Sequence, residues 1–198
     1  MQRISYFLLL FICSISILQA QKGEVGFTMS ILSNNSVVRF GNYEDDADYT
    51  AGKSAAFGFT YLKPVNNWLD IETGIEYFIG NAAIRSIIPT YNGLIDNYHS
   101  GSVLLINIPV GVRANFWKYC FINGGALFDI DVSKDSPINS QTGLGVQLGA
   151  GLKYDFKTGI SVFVNPYTKV HALIPNSFNS YNLHLFESAI RFGVTYRL

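Results

Sequence analysis

Residues 142–156 read TGLGVQLGAGLKYDF, and this stretch decides the fold because its two alternating sets of side chains differ in kind. Every even-numbered position from 144 to 156 is apolar or aromatic, whereas the odd-numbered positions hold glycine, Gln147, Lys153 or Asp155. A β-strand points successive side chains to opposite faces, so a period of two indicates a strand with two unlike faces. Residues 68–80 and 186–198 repeat the pattern.

The same alternation predicts eight strands, at residues 23–32, 53–63, 68–80, 102–116, 119–130, 142–156, 160–172 and 184–198. Short connections alternate with longer polar segments, which are residues 33–52, 81–101, 131–141 and 173–183. Short turns at one end and long loops at the other are typical of outer-membrane barrels. We therefore predict an all-β fold, a closed eight-stranded antiparallel up-and-down transmembrane β-barrel. Pro109 and Pro166 lie inside predicted strands, where we expect local bulges.

The composition agrees with a chain that meets lipid. Charged residues make up 14% of the 198 residues and aromatic residues 15%, and the formal net charge is zero. An ordinary soluble domain has about 25% charged residues. High aromatic content argues against a disordered chain. The absence of a basic surplus argues against a nucleic-acid partner, because such a protein must neutralise phosphates.

The N-terminus predicts export. A short positive start at Arg3 precedes a nearly unbroken apolar run over residues 6–18, and cleavage is expected between Ala20 and Gln21. We predict a signal peptide at residues 1–20 and a barrel domain at residues 21–198, the alternative being an uncleaved anchor helix. No other stretch approaches about 20 consecutive apolar residues. A mature chain that meets the membrane interior must then do so as a closed barrel, which predicts an outer-membrane location.

The aromatic residues cluster near the ends of the predicted strands that carry the short turns. These residues are Tyr61, Trp68, Phe116, Trp117, Tyr119, Tyr154, Phe156 and Tyr196. Such a ring predicts a girdle at the level of the lipid headgroups. The alternative is a soluble lipocalin-like ligand carrier, whose strands also alternate but whose apolar face points inward. The polar faces carry too few Lys and Glu for a water-exposed surface, which favours the membrane barrel.

The polar face of the predicted strands contains charges of both signs. The predicted inward set is Asp70, Glu72, Glu76, Arg113, Lys153, Asp155, Lys169, Glu187, Arg191 and Arg197. An eight-stranded barrel is just wide enough for its own side chains to fill. We expect a paired, hydrogen-bonded plug and no wide pore, with a proton or ion path as the alternative.

A lipid-modifying enzyme is a second function class. His184 and Ser188 share one face of the last predicted strand, but Glu187 lies on the other face, so the pattern of a nucleophile, a base and an acid is incomplete. Cys120 would be an inert small hydrophobe on the apolar face. We therefore predict a non-enzymatic protein without catalytic residues and without a cofactor.

The long outer segments predict a surface for a protein partner in the envelope. Apolar side chains there are Phe40, Tyr43, Tyr49, Ile87, Ile88, Tyr91 and Tyr98. The first of these segments also holds four acidic residues, Glu44, Asp45, Asp46 and Asp48. Their spacing is not that of a calcium-binding loop, so we predict a solvated acidic cluster and no metal site. The expected partners are outer-membrane lipid and an envelope protein.

Two consecutive segments carry a family resemblance. Residues 104–113, LLINIPVGVR, followed by residues 119–125, YCFINGG, resemble the Bacteroidota outer-membrane barrels grouped around PorT, which are small barrels of the OmpA/OmpX kind. Asn107 departs from that pattern, which commonly has Glu there, and Leu198 ends the chain where Phe is frequent. The resemblance implies a structural or interaction component of the outer membrane, with a link to protein secretion or envelope assembly.

Overall fold

The computed structural model describes residues 23–39, 47–90, 93–176 and 183–198. Its elements are eight strands, namely β1 (Glu24–Arg39), β2 (Ala47–Pro64), β3 (Leu69–Thr90), β4 (Gly93–Phe116), β5 (Cys120–Asp131), β6 (Gly143–Asp155), β7 (Ile160–Pro175) and β8 (Leu183–Arg197). Each strand pairs antiparallel with its sequence neighbours, and β8 closes the ring on β1. The predicted closed up-and-down barrel is confirmed. Within the described part of the chain, no helix is long and apolar enough to cross a membrane.

The alternation in sequence becomes an alternation between the lumen and the outer wall. On β6, Gln147 is 7% exposed because it points inward, whereas its neighbour Leu148 on the outer wall is 70% exposed. β3 and β8 follow the same rule, with Ile75 and Val194 outside and Glu76 and Arg191 inside. An apolar exterior around a charged interior is the reverse of a lipocalin-like barrel, so the soluble alternative is wrong.

The short turns are built from local chemistry. After β2, the Asn66 side chain accepts hydrogen bonds from the backbone N–H groups of Trp68 (3.0 Å) and Leu69 (2.8 Å), which tightens the turn. After β6, Gly159 has a φ of 84°, a left-handed conformation that glycine adopts at little cost. The rings of the predicted aromatic girdle lie at this end, and Trp117 is 87% exposed.

Two of the long segments predicted as loops are mostly strand. β1 continues to Arg39 and β2 begins at Ala47, while β3 and β4 pair up to Thr90 and Gly93. The predicted loops 33–52 and 81–101 are therefore wrong over most of their length. The reason is physical, since strands that project beyond lipid lose the contrast between a lipid face and a lumen face. The predicted loop 131–141 is confirmed from residue 132 onward, and β6 begins one residue later than predicted, at Gly143.

The bulges also lie elsewhere than predicted. The register does not shift at Pro109 or at Pro166, so those predicted bulges are wrong. At Pro109 the ladder to β3 is simply interrupted, and the Thr73 hydroxyl donates to the Pro109 carbonyl at 2.9 Å. The register shifts instead near the far end of the barrel, between Ile31 and Asn34 and at two other places. The first two of these shifts lie just beyond the point where β1 and β2 stop pairing with each other, while each strand stays paired with its other neighbour.

Candidate functional site in the lumen and at the extended end

The centre of the lumen holds a continuous layer of buried charges. Glu72 and Glu76 point inward from β3, and Arg191 reaches both from β8, with Nη2 2.7 Å from Glu76 Oε1 and Nη1 3.8 Å from Glu72 Oε1. Lys169 on β7 forms an ion pair with Glu76 and lies 3.8 Å from Glu187. Three strands, β3 on one side of the barrel and β7 and β8 on the other, are thus tied together, so this charged layer spans the lumen.

At the short-turn side of the charged layer, Arg113 of β4 is held by polar and aromatic groups. Its Nη2 and Nε donate to the two carboxylate oxygens of Glu72 at 2.8 and 3.2 Å. The guanidinium also faces the rings of Phe121 and Phe163, whose centroids are 4.3 and 4.7 Å away. A planar cation can bind a carboxylate through its edge and aromatic rings through its face. The rings therefore extend the plug with an apolar layer.

At the opposite side of the charged layer, His171 lies between two carboxylates. Its Nδ1 is 3.2 Å from Asp129 Oδ1, and its Nε2 is 3.1 Å from Glu187 Oε2. The Tyr167 hydroxyl donates to the other oxygen of Glu187 at 2.5 Å. Because each ring nitrogen faces a carboxylate oxygen, the geometry suits a doubly protonated imidazole.

A doubly protonated His171 would balance the charges of this layer. The carboxylates are those of Glu72, Glu76, Asp129 and Glu187, and the permanent cations are Arg113, Lys169 and Arg191. Three cations against four anions leave one negative charge, which an imidazolium at His171 would cancel. Buried charges are tolerated only when they are paired and hydrogen-bonded, so this balance is a condition for closing the lumen.

The predicted inward set divides into two groups. Glu72, Glu76, Arg113, Lys169, Glu187 and Arg191 form the charged layer as predicted. The other four, Asp70, Lys153, Asp155 and Arg197, line a cavity of about 630 Å³ at the short-turn mouth of the barrel. They are closer to water, as shown by Arg197, which pairs at 3.1 Å with Glu24 while remaining mostly exposed.

Sequence reasoning missed three members of the charged layer. Asp129, His171 and Tyr167 were not in the predicted inward set, although all three are buried there. Asp129 follows Phe121, Asn123 and Leu127 at odd positions of β5, so alternation alone would have assigned it to the lumen. The pairing of Asp129 with His171 links residues 42 positions apart, and periodicity carries no information about that contact.

Above the charged layer, an apolar layer fills the far end of the lumen. Its buried members are Ala56, Phe78, Ala82, Val103, Leu105, Ile138, Leu183 and Leu185. Ile138 comes from the irregular segment after β5, which therefore folds into the mouth of the barrel. Tyr49, predicted to be part of a docking surface, packs partly buried against this layer instead.

Beyond this layer the ring opens, and side chains bridge the gaps. β7 pairs with β8 only up to Val170 and Phe186. The Gln141 amide then takes the place of a neighbouring strand, because its Nε2 donates to the Leu183 carbonyl at 2.8 Å and its Oε1 accepts from the Leu185 N–H at 2.9 Å. Between β1 and β2, Asn35 plays a similar role by donating to the Gly52 carbonyl at 2.8 Å.

The edge of β4 is bridged only by side chains and only in part: the Leu104 N–H donates to Ser133 Oγ at 2.8 Å, and His99 Nε2 lies 3.8 Å from Asp135 Oδ1. β4 pairs with β5 from Phe116 to Leu105, and the Leu104 carbonyl still accepts from the Val132 N–H at 2.9 Å. Beyond Leu104 the β4 backbone pairs with β3 alone in the part of the chain that the structure describes. Since an antiparallel strand alternates its hydrogen-bonding sides, the N–H and C=O groups of even-numbered residues such as Ser100 and Ser102 face outward from this edge.

The residues considered for catalysis do not come together. Ser188 Oγ on the outer wall lies 3.2 Å from Thr168 Oγ1, while Glu187 points into the lumen and binds Lys169, His171 and Tyr167. His184 is buried near the start of β8. Cys120 is a free, half-buried thiol.

The acidic cluster is only partly within the described residues. Glu44, Asp45 and Asp46 lie outside them, as do Phe40, Tyr43 and Tyr91, whereas Asp48 is exposed on β2. The side chains of Ile87 and Ile88 are likewise outside the description. Over the described ranges, no group of three or more His, Cys, Asp and Glu side chains is arranged to hold a metal ion.

Comparison with known proteins supports the fold. No protein-family model and no curated protein matches the chain. The outer membrane protein AlkL, solved in DMPC lipid bilayers, is similar with a TM-score of 0.51 and 12% identity over 90% of this chain and 91% of that one. For OprG from Pseudomonas aeruginosa the TM-score is 0.48 and the identity 10%, over 90% of this chain and 96% of that one. Ail of Yersinia pestis, solved with the heparin analogue sucrose octasulfate, gives 0.40 and 15%, over 90% and 100%.

The fold is therefore that of the small outer-membrane β-barrels. At these identities the likeness concerns the fold and carries nothing about activity. The location follows from the chain's own surface, because a closed barrel with an apolar exterior and a charged, filled interior is stable only with lipid around it. The chain is an outer-membrane barrel.

Proposed function

We propose that this protein is a non-conducting, non-enzymatic component of the outer membrane that binds an extended segment of an envelope protein along the open edge of β4. The observation that carries the proposal is the edge itself, about ten residues of regular strand whose backbone has no strand partner on one side. Exposed strand edges recruit partner strands through backbone hydrogen bonds, and proteins without such a partner usually block them. The partner thus supplies the strand that β5 does not.

The filled lumen supports a role without conduction. The charged layer is buried across its whole width, and the rings of Phe121 and Phe163 lie against Arg113 below it. Eight-stranded barrels have interiors that side chains can fill completely. In planar lipid bilayers we expect no stepwise conductance from the refolded protein, and regular steps would contradict this part of the proposal.

The engagement of Glu187 supports a non-enzymatic role. A Ser–His pair needs an acid that orients the base, and Glu187 already interacts with three groups in the lumen. Substitution of Ser188 by Ala should leave lipid A acylation unchanged in membranes. Loss of an acyl modification in that variant would favour the lipid-modifying alternative.

The class of partner comes from the sequence resemblance. The PorT-like pattern in residues 104–113 and 119–125 implies a link to protein secretion or envelope assembly. Residues 104 and 105 are also where β4 leaves β5 and its edge opens. We therefore propose that the partner belongs to such an envelope assembly and reaches the barrel from its extended end.

Site-specific photocrosslinking in intact outer membranes tests the proposal. A crosslinking amino acid at Tyr98, which is 65% exposed on the open part of β4, should give a discrete protein adduct. The matched control is the same amino acid at Trp117, which is exposed at the opposite end and should give no such adduct. Equal crosslinking at both positions would count against a specific edge.

A backbone variant shows whether the edge itself is used. Ser100→Pro removes an N–H that faces away from β3, so the barrel should fold normally while the partner loses a hydrogen bond and meets a proline ring. We expect the Tyr98 adduct to fall strongly in Ser100→Pro and to persist in Ser100→Ala. An adduct that survives in a folded Ser100→Pro protein would refute strand addition.

A further inference from the structure

A broad apolar trough crosses the outer wall from β5 to β1, towards the short-turn end. Its volume is about 890 Å³, and its surface is formed largely by aliphatic and aromatic side chains. One side is a ridge in which the rings of Tyr119 and Tyr154 stack, with centroids 6.1 Å apart and planes 6° apart. Phe27 stands on the other side, and Val164 and Val194 lie between them. The smaller valine side chains thus form the floor of the trough, and the larger aromatic rings form its two borders.

Two lysines lie in the short turns that follow β4 and β6, at the end of the barrel towards which the trough runs. The Lys118 ammonium is 5.3 Å from the centroid of the Tyr119 ring, which lines the trough. Lys157 follows Phe156, whose ring contacts that of Tyr154 at 4.8 Å. Both lysines are exposed, and among the described residues neither forms an ion pair with a carboxylate. Lys118 therefore stands beside the tyrosine ridge, and Lys157 lies in the neighbouring short turn, both without a carboxylate partner among the described residues.

We propose that the trough binds one acyl chain of an anionic phospholipid, whose phosphate interacts with Lys118 and Lys157. The apolar floor accommodates a hydrocarbon chain, and the aromatic ridge lies at the level where amphipathic rings meet headgroups. Basic residues close to a membrane surface attract anionic lipid by roughly fivefold in affinity for each charge. The short-turn end is expected to face the periplasm, so the ligand is a phospholipid of the inner leaflet. This inference is independent of the partner proposed for β4.

Native mass spectrometry of the full-length protein, refolded in detergent with equal amounts of phosphatidylglycerol and phosphatidylcholine, tests the site. We expect one phosphatidylglycerol to remain bound at collision energies that remove phosphatidylcholine. In the double variant Lys118→Gln/Lys157→Gln, the preference for phosphatidylglycerol over phosphatidylcholine should fall by about tenfold or more, because each lost charge should lower it by roughly fivefold. Lys63→Gln, an exposed lysine at the same end but outside the trough, should keep it.

A second pair of variants tests the apolar part. Val194→Trp fills the trough and should reduce retention of the bound lipid, whereas Val112→Trp on the outer wall of β4 should not. Equal retention of both lipids by the unmodified protein would overturn the proposal, since it would show ordinary annular lipid. Unchanged selectivity in the double lysine variant would also overturn it. A protein dimer in place of the lipid adduct would assign the trough to a second copy.

Discussion

The same eight strands form two regions that are held together in different ways. In the lower barrel, which is the part nearer the short turns, every strand has two hydrogen-bonded neighbours. Its interior is filled by ion pairs such as those of Glu76. In the extended region, which is the part beyond the buried apolar layer, some neighbouring strands no longer pair, and single side chains such as Gln141 bridge the gaps. One edge, on β4, has β3 as its only backbone partner beyond Leu104 within the described residues, with the exposed pair of His99 and Asp135 beside it.

The difference follows from the solvent. Inside lipid, an unpaired backbone group costs several kcal/mol, so the ring must close. Beyond the membrane, water satisfies backbone groups, and strands are free to separate. The bulge between Ile31 and Asn34, and the left-handed residue Leu32 within it, mark this boundary on β1. Closure is thus a property of the lower barrel, and binding surfaces become available where closure is no longer required.

The largest expected effect comes from breaking the charged layer. Glu76→Gln leaves Lys169 and Arg191 without their nearest carboxylate in the lumen, which should cost about 3–5 kcal/mol. Urea unfolding of the protein in lipid vesicles measures this loss. Asp96→Asn breaks an exposed pair in the extended region and should change the unfolding free energy little. Equal losses in the two variants would remove the distinction between the regions.

The next effect is local. Gln141→Ala removes two hydrogen bonds from the edge of β8, at a cost of about 1–3 kcal/mol to local opening. Hydrogen exchange at the Leu185 amide should accelerate by about tenfold or more. The lower ladder should not change, and neither should the neighbouring control Ser140→Ala. Acceleration spread over all eight strands would show that the extended region is not separate.

An effect of similar size distinguishes two buried asparagines in the lower barrel. Asn107 is fully buried, and neither amide atom has a hydrogen-bond partner among the described residues. Asn107→Leu should therefore be neutral or slightly stabilising. Asn123→Leu should cost about 1–3 kcal/mol, because Asn123 donates to Glu72 at 3.1 Å and accepts from Asn165 at 2.8 Å. Urea unfolding of both variants measures these changes in the free energy of unfolding. A large loss of stability in Asn107→Leu would mean that the Asn107 amide is hydrogen-bonded.

The smallest effect concerns the exposed pair between β3 and β4. Two hydrogen bonds from Arg85, at 3.0 and 2.7 Å, lower the pKa of Asp96 below its ordinary value of 3.8. Because the pKa is lowered in the folded state, the pair stabilises the folded hairpin at any pH above about 3.8. This stabilisation is lost as the pH falls through the lowered pKa. A carbon-13 NMR titration should show the pKa of Asp96 rising in Arg85→Gln. An unchanged pKa would mean that the pair is absent in solution.

The sequence predicted the lower barrel well because lipid and lumen impose opposite chemistry on alternate residues. Glu72 and Arg191 could be assigned to the interior from parity alone. The extension of β3 and β4 could not, because residues such as Asn97 and Ser100 meet water and their pattern loses its contrast. The contact of His171 with Asp129 depends on the register across three strands, which no local pattern encodes.

β4 contains both regions in one strand, so its amide hydrogen exchange tests the account most directly. In lipid nanodiscs, the amides of Ile106 and Ile108, which face β5, should be strongly protected, while those of Ser100 and Ser102, which face the open edge, should exchange rapidly. The odd-numbered amides between them, bonded to β3, should be intermediate or protected. Uniform protection along the strand would contradict the account, because it would mean that the edge is already covered.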